Sequence, residues 1–313
     1  MKGLELSESY FNEFGMPMLK SKFGDLMPYL AAGLVGSGSE CFGYDDEAST
    51  DHDFEPGFCI FVPDDDNLIS RADLFKLERE YAKLPDEFCG FKRQKVNPAG
   101  GNRHGVIKIG DFYRSKTGFA DGRLTLEAWL RTPEFYLAEA VNGRVFFDNF
   151  GVFSQIRASL ASMPRDAVLK RLAGNLAYAA QSGKYNYLRS VSREESGAAQ
   201  LTLFEFEKAA SNAFFLLSGK YQPYFKWKYR AMRELPDGEN TCEKLTYLIT
   251  HPNGYEYIDN KLECIESITD ILCRKTAVVF PDAKESDLER AAFAINNLIS
   301  DARLRNENIF RCV

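Results

Sequence analysis

The chain has 313 residues, of which 45% are hydrophobic and 27% charged, a composition typical of a globular protein with room for two ordinary domains. Its formal net charge of −6 disfavours broad nucleic-acid binding, which usually depends on a surplus of basic residues. No apolar run approaches the ~20 residues that span a bilayer, and residues 1–6 show no signal-peptide core. We therefore expect a cytoplasmic protein without a membrane partner.

The first half of the chain mixes helix and strand patterns. Apolar residues spaced three and four apart predict helices over 10–23 and 69–84. Short apolar runs predict strands at 30–35, 53–62, 88–96 and 104–109. Strands mixed with helices over about 110 residues predict an α/β domain, which we place at residues 1–152.

The second half is helical in pattern from Phe153 onward. Apolar residues follow a helical period in six segments, namely 164–185, 198–217, 226–235, 243–250, 261–279 and 286–306. Proline and glycine at 236–238 and 252–254 supply stop signals. The pattern predicts an all-helical bundle over residues 153–313, so the expected fold class is α+β: a mixed sheet flanked by helices, followed by an all-α bundle.

The most informative motif follows the first predicted strand. Gly36-Ser37-Gly38-Ser39 allows close backbone approach to a ligand, and its N–H and hydroxyl groups can hold phosphate oxygens. Asp51 and Asp53 then stand two apart at the head of the next predicted strand, which would direct both carboxylates to one face. Such a pair suits Mg²⁺, with Mn²⁺ as a second candidate. The same residues are also compatible with an ordinary turn and helix-capping acids.

Val35-Gly36-Ser37, a spacer and Asp51-His52-Asp53 together resemble the signature of the polymerase-β-like nucleotidyltransferase superfamily. Gly38-Ser39 would also serve as the Gly-Ser pair, with a shorter spacer. The resemblance implies a nucleotidyltransferase fold in which Gly36, Ser37, Gly38 and Ser39 bind phosphate while Asp51 and Asp53 hold the metal. It also implies transfer of a nucleoside monophosphate, AMP from ATP in the first instance, to a hydroxyl of a small molecule or protein, with release of pyrophosphate.

Three patches of the chain also look like a bacterial nucleotidyltransferase-like family catalogued as a domain of unknown function. They comprise residues 36–59, 143–148 and 221–227. In the last patch, Pro223-Tyr224-Phe225-Lys226-Trp227 resembles the helical domain of aminoglycoside-type antibiotic nucleotidyltransferases, in which a lysine faces the nucleotide phosphates. The resemblance implies that role for Lys226, with Lys220 second, in a site between the two domains.

A third catalytic carboxylate is not evident from the sequence. Active members of the superfamily usually carry one on a later strand, but the central polar residue of the 105–109 strand is Lys108. Asp111 is our candidate, and Asp121 and Glu127 are the other acids nearby. A base from elsewhere, a substrate needing little deprotonation, and a non-catalytic nucleotide-binding regulatory module all remain open. The acidic balance disfavours a transferase acting on nucleic-acid ends.

Overall fold

The computed structural model describes residues 1–47, 54–93 and 103–312. The chain divides into two compact units. The first unit comprises Met1–Leu124 and Thr132–Ser162, and the second comprises Thr125–Arg131 and Met163–Val313. The division into domains at residue 152 stays a prediction.

The first unit is a mixed α+β structure. Up to β5 its elements are α1 (Gly3–Tyr10), α2 (Met16–Lys22), β1 (Ala31–Leu34), α3 (Ser39–Phe42), β2 (Cys59–Val62), α4 (Arg71–Ala82), β3 (Glu87–Phe88), β4 (Phe91–Lys92) and β5 (Gly105–Lys108). After β5 come α5 (Ile109–Thr117), α6 (Leu126–Arg131) of the second unit, α7 (Glu134–Val141), β6 (Arg144–Asp148) and α8 (Val152–Leu160).

Four strands form one mixed sheet in the order β5-β2-β1-β6. Strand β1 is antiparallel to both neighbours, whereas β2 and β5 are parallel. Alternate residues of β2 point to opposite faces: Ile60 joins the core that includes α1 and α2, and Phe61 stacks on Phe153 of α8 at 4.1 Å between ring centroids. The strand is therefore buried on both faces.

The predicted helix at 10–23 lies within a longer helical segment. A π-helical turn at Phe11–Gly15 joins α1 to α2. Phe11 is 1% exposed and packs against Phe58 and Phe147, with ring centroids 5.0 and 5.7 Å apart. This helical segment covers one face of the sheet.

The predicted strands at 30–35 and 104–109 are confirmed as β1 and β5.

Two predicted strands differ from the structure. The expected strand over 53–62 begins only at Cys59, and the described part of the 88–96 segment forms the short hairpin β3–β4. The turn of that hairpin contains Cys89 and Gly90, both at positive φ. Ile109 opens α5 rather than ending β5, because the Asp64 carboxylate accepts the Gly110 N–H at 2.8 Å and caps the new helix.

The described elements of the second unit are helices. After α6 they are α9 (Arg165–Ala180), α10 (Tyr187–Ser192), α11 (Ser196–Leu217), α12 (Phe225–Arg233), α13 (Gly238–Thr250), α14 (Tyr255–Val279), α15 (Leu288–Asn297) and α16 (Ala302–Asn306), with π-helical and 3-10 turns between some of them. Helix α9 is central, because it packs against both α11 and α15. Helices are confirmed in all six predicted segments, but the segment 286–306 contains two helices, α15 and α16, instead of one. Within the described ranges, no helix has the length and apolar character needed to cross a membrane.

Candidate functional site

A tight turn connects β1 to the short helix α3. Gly36 and Gly38 have φ angles of +100° and +128°, a region that side chains with a Cβ rarely adopt. A Cβ at Gly38 would also lie 1.9 Å from the Arg103 guanidinium and 2.5 Å from the Glu40 carboxylate. The glycine turn that the sequence predicts after the first strand is thus present, and it requires glycine at these positions.

The side chain of Asn142 holds the turn from the end of α7. The Gly36 N–H donates to Asn142 Oδ1 at 2.7 Å, and Asn142 Nδ2 donates to the Gly36 carbonyl at 2.7 Å. One side-chain amide therefore satisfies both backbone groups of Gly36. This two-point contact fixes the backbone just where it leaves the sheet.

Ser37 belongs to a charged cluster, which we call the Ser37–Lys116–Glu139 cluster. The Ser37 hydroxyl donates to Glu139 Oε2 at 2.8 Å and accepts from Lys116 Nζ at 3.0 Å. Lys116 Nζ also donates to Glu139 Oε2 at 2.5 Å. Both charged side chains are 12% exposed, so their ion pair is shielded from solvent screening more than a surface pair is.

Arg103 contacts the turn on another side. Its Nη2 donates to the Ser37 carbonyl at 3.0 Å and pairs with the carboxylate of Glu40, a buried residue of α3. The Cys59 thiol donates to the Arg103 carbonyl at 3.2 Å, and burial raises the pKa of that thiol to about 12. Cys59 is therefore a protonated thiol at neutral pH, which makes it a poor nucleophile.

The turn opens on a cavity of about 550 Å³, a volume suited to a small-molecule ligand. Its polar lining residues are Gly36, Ser37, Glu78, Arg103, Lys108, Asp111, Ser115 and Lys116. Lys108 pairs with Asp66 at 2.9 Å, and this hydrogen bond raises the lysine pKa above its usual value. The cavity wall thus has three cationic side chains, those of Arg103, Lys108 and Lys116, and each is also bonded to a carboxylate.

The structure brings some of the predicted site residues together. Gly36, Ser37 and Asp111 line the same cavity, and Gly38 and Ser39 continue the turn. Asp111 lies in the first turn of α5, where it is 60% exposed and accepts a hydrogen bond from Arg114 at 2.6 Å.

The predicted metal ligands Asp51 and Asp53 lie outside the described residues, so their role stays a prediction. Among the residues that the structure does describe, no group of three or more His, Cys, Asp or Glu side chains is arranged to hold a metal ion.

Lys226, the predicted phosphate ligand of the helical half, is an exposed residue in the first turn of α12. Its ammonium lies 5.3 Å from the centre of the Trp227 ring. Lys228 of the same helix is instead buried and bonds to Glu207 of α11 at 2.5 Å. Lys228 therefore attaches α12 to α11, and the nucleotide role of Lys226 stays a prediction.

The contacts that sequence reasoning missed are those made by Lys116, Glu139 and Asn142. They reach the turn across 79 to 106 positions of sequence. Contacts between residues so far apart in sequence produce no pattern among neighbouring residues that could predict them. The nearest signal was the neighbouring patch at 143–148, which marked this segment without identifying its side chains.

Residues 129–228 match the model of a family described as a domain of unknown function (DUF4037). The matched span contains two of the three patches noted in the sequence, 143–148 and 221–227, but not the Gly36–Asp53 region. It also contains Glu139 and Asn142, which hold the turn at Gly36 and Ser37. The comparisons found no similar curated protein and no similar solved structure.

Proposed function

We propose that the protein is a Mg²⁺-dependent nucleotidyltransferase. It would transfer a nucleoside monophosphate, AMP from ATP in the first instance, to a hydroxyl of a small molecule or protein and release pyrophosphate. The observation that carries this proposal is the Gly36-Ser37 turn, which opens at the end of a central strand on a cavity with a cationic wall.

The turn and the wall suit a nucleoside triphosphate. Glycine at positive φ lets phosphate oxygens approach the backbone, and cationic side chains offset phosphate charge. The cavity volume lies within the range of cofactor and nucleotide pockets. Catalysis in such a site rests on positioning and on neutralisation of charge, which these groups can supply.

Asp51 and Asp53 would hold the metal, because carboxylate oxygens are the ligands that Mg²⁺ prefers in proteins. Bound Mg²⁺ would neutralise triphosphate charge. Glu55, two residues beyond Asp53, bonds to His104 at 2.9 Å, and His104 adjoins the cavity residue Arg103. This contact connects the chain that follows the two aspartates to the cavity wall.

Pyrophosphate release tests the proposal. Purified protein would be incubated with Mg²⁺ and each labelled nucleoside triphosphate, alone or with candidate hydroxyl acceptors, and also checked for self-labelling. We expect nucleotide-dependent pyrophosphate release that Asp51→Asn and Asp53→Asn abolish. Absence of turnover with every nucleotide and acceptor would contradict an enzymatic role.

A nucleotide-binding regulatory module is the second candidate. It is favoured by the state of Asp111, the predicted third carboxylate, which is exposed and bonded to Arg114. Tight ATP binding with neither pyrophosphate release nor self-labelling would support the module over the enzyme. The fold alone does not separate the two, because function depends on the residues of the site.

A further inference from the structure

Lys116 differs from the other two cations of the cavity wall. Lys108 bonds to Asp66 with a side chain that is 30% exposed, and Arg103 spans the turn between the Ser37 carbonyl and Glu40. Lys116 is 12% exposed and lines the cavity beside the Ser37 hydroxyl. Its charge is therefore the least screened by solvent of the three.

The hydrogen bonds of Lys116 leave capacity for a ligand. An ammonium group has three N–H donors, and two of those of Lys116 go to Glu139 and Ser37. Glu139 accepts from both residues and so fixes the ammonium against the wall. The hydrogen bonds to Glu139 and Ser37 leave one donor of an ammonium group that lines the cavity and lies 6.0 Å from the centre of the Tyr136 ring.

We propose that Lys116 binds a phosphate group of the nucleoside triphosphate, and that Glu139 positions this lysine and limits the negative charge that the site accepts. The proposal rests on the proposed function for the identity of the ligand as a triphosphate. It assigns a phosphate-binding lysine to α5 of the first unit, in addition to the predicted Lys226, and gives Glu139, from the family-matched span, a defined role.

Glu139 gives the site a preference among forms of the same nucleotide. Its carboxylate offsets the Lys116 charge, so a fully charged triphosphate meets less attraction than it would from a free ammonium. A triphosphate complexed with Mg²⁺ carries less negative charge and is disfavoured less. The cluster therefore selects the metal complex over the free nucleotide.

Calorimetry on four proteins tests this proposal: wild type, Lys116→Met, Glu139→Gln and the double variant. Each is titrated with ATP plus Mg²⁺, with ATP plus a chelator, and with adenosine. Lys116→Met should weaken ATP binding about tenfold or more while leaving adenosine unchanged, because a charge-assisted hydrogen bond is lost. Glu139→Gln should strengthen binding of metal-free ATP about threefold or more and binding of ATP with Mg²⁺ less, because the removed carboxylate repels the more highly charged form more strongly. The same difference between the two forms should appear when the double variant is compared with Lys116→Met.

Lys20→Met is the matched control, since Lys20 is exposed on α2 and lies outside the cavity lining. Thermal melting establishes that each variant folds. The double variant is neutral at both positions. Its ATP and adenosine affinities can therefore be measured even if Lys116→Met alone leaves Glu139 unpaired and unfolds.

Equal losses of ATP and adenosine in Lys116→Met, or no loss of either, would overturn the assignment of Lys116. An equal change in affinity for both ATP forms in Glu139→Gln, or no change for either, would overturn the charge-limiting role of Glu139. A wild type that binds no ATP overturns this proposal together with the function. A wild type that binds ATP but transfers nothing contradicts only the enzymatic function.

Discussion

Asn142 and Gly36 exchange two hydrogen bonds of 2.7 Å although they lie 106 positions apart in sequence. Gly36 has φ +100°, one of many conformations open to glycine, and hydrogen bonds to its backbone help to select it. The amide of Asn142 supplies a donor and an acceptor at once, which no carboxylate or hydrocarbon side chain can do. The shape of the phosphate-binding turn that we propose is therefore set from α7.

Asn142→Asp tests this dependence. The substitution removes the Nδ2 donor and places a carboxylate against the Gly36 carbonyl, so we expect the free energy of unfolding to fall by about 1–3 kcal/mol. ATP affinity should fall as well. Denaturant titration and calorimetry measure the two effects. Asn149→Asp is the control, because Asn149 is exposed and donates to the Met27 carbonyl outside the site; equal effects at both positions would refute a special role for Asn142.

Gly36→Ala should abolish or strongly reduce ATP binding. The new Cβ would lie 3.3 Å from the Phe112 ring at a residue of positive φ. Gly118→Ala is matched in strain, with φ +80° but nothing within 4 Å of its Cβ. Both variants should lose about 1–2 kcal/mol of stability, but only Gly36→Ala should lose nucleotide affinity. Full affinity in a folded Gly36→Ala protein would show that phosphate binds elsewhere.

Asp51→Asn and Asp53→Asn should each reduce the Mg²⁺ dependence of ATP binding. An amide lacks the negative charge that a hard cation favours, and each change is nearly isosteric, so the fold should be retained. Calorimetric titrations with ATP, with and without Mg²⁺, compare the variants with wild type. The metal assignment is wrong if both variants bind ATP with Mg²⁺ as tightly as wild type does.

Lys226→Met and Lys228→Met form a matched pair on one helix. We expect Lys226→Met to weaken binding of ATP more than of adenosine, without loss of stability, because the side chain is exposed. Lys228→Met leaves Glu207 buried without its cation, so the free energy of unfolding should fall by about 3 kcal/mol. Thermal melting and calorimetry separate the two. Unchanged ATP affinity in Lys226→Met would exclude it as a phosphate ligand.

Lys261 predicts a pH-dependent stability. Burial lowers the pKa of this fully buried lysine to about 8, whereas the pKa of a lysine in an unfolded chain is about 10.4. Between these pH values the unfolded chain binds more protons, so the free energy of unfolding should rise with pH from about 8 to about 10. Below about pH 8 the cost of burying the ammonium is fully present.

Denaturant titrations of wild type and Lys261→Met across this range measure that contribution. The difference in unfolding free energy between the two proteins should grow in favour of wild type as pH increases. Lys184→Met is the control, because Lys184 has a side chain that is 66% exposed. A constant difference across the range would show that the buried lysine does not titrate there.

Local patterns in the sequence were sufficient for most of the fold. The apolar run before Gly36 predicts β1, and the helical period predicts the helices of the second unit. The starts of β2 and α5 were not predictable from local patterns. The start of α5 depends on a hydrogen bond from the Gly110 N–H to Asp64, which lies 46 positions earlier in sequence. The predictable features depend on residues that are neighbours in sequence, whereas the unpredictable ones depend on contacts between residues that are distant in sequence.

The candidate site divides in the same way. The Gly36–Ser39 turn was predictable, because two glycines after an apolar run indicate a turn with positive φ values. Lys116 and Glu139 were not, because a lysine and a glutamate on helices give no hint of their partners until the fold brings them to Ser37. Asp51 and Asp53 remain predictions from the motif alone.

The discontinuous first unit has a consequence during biosynthesis. Strand β1 emerges early from the ribosome, but its partner β6 ends at Asp148, and Asn142 follows Gly36 by more than a hundred residues. The stretch Thr125–Arg131, which belongs to the second unit, is translated in between. The nascent chain must therefore hold an unfinished sheet while it makes residues of the other unit, and the turn at Gly36 can acquire its final shape only after most of the first unit has been synthesised.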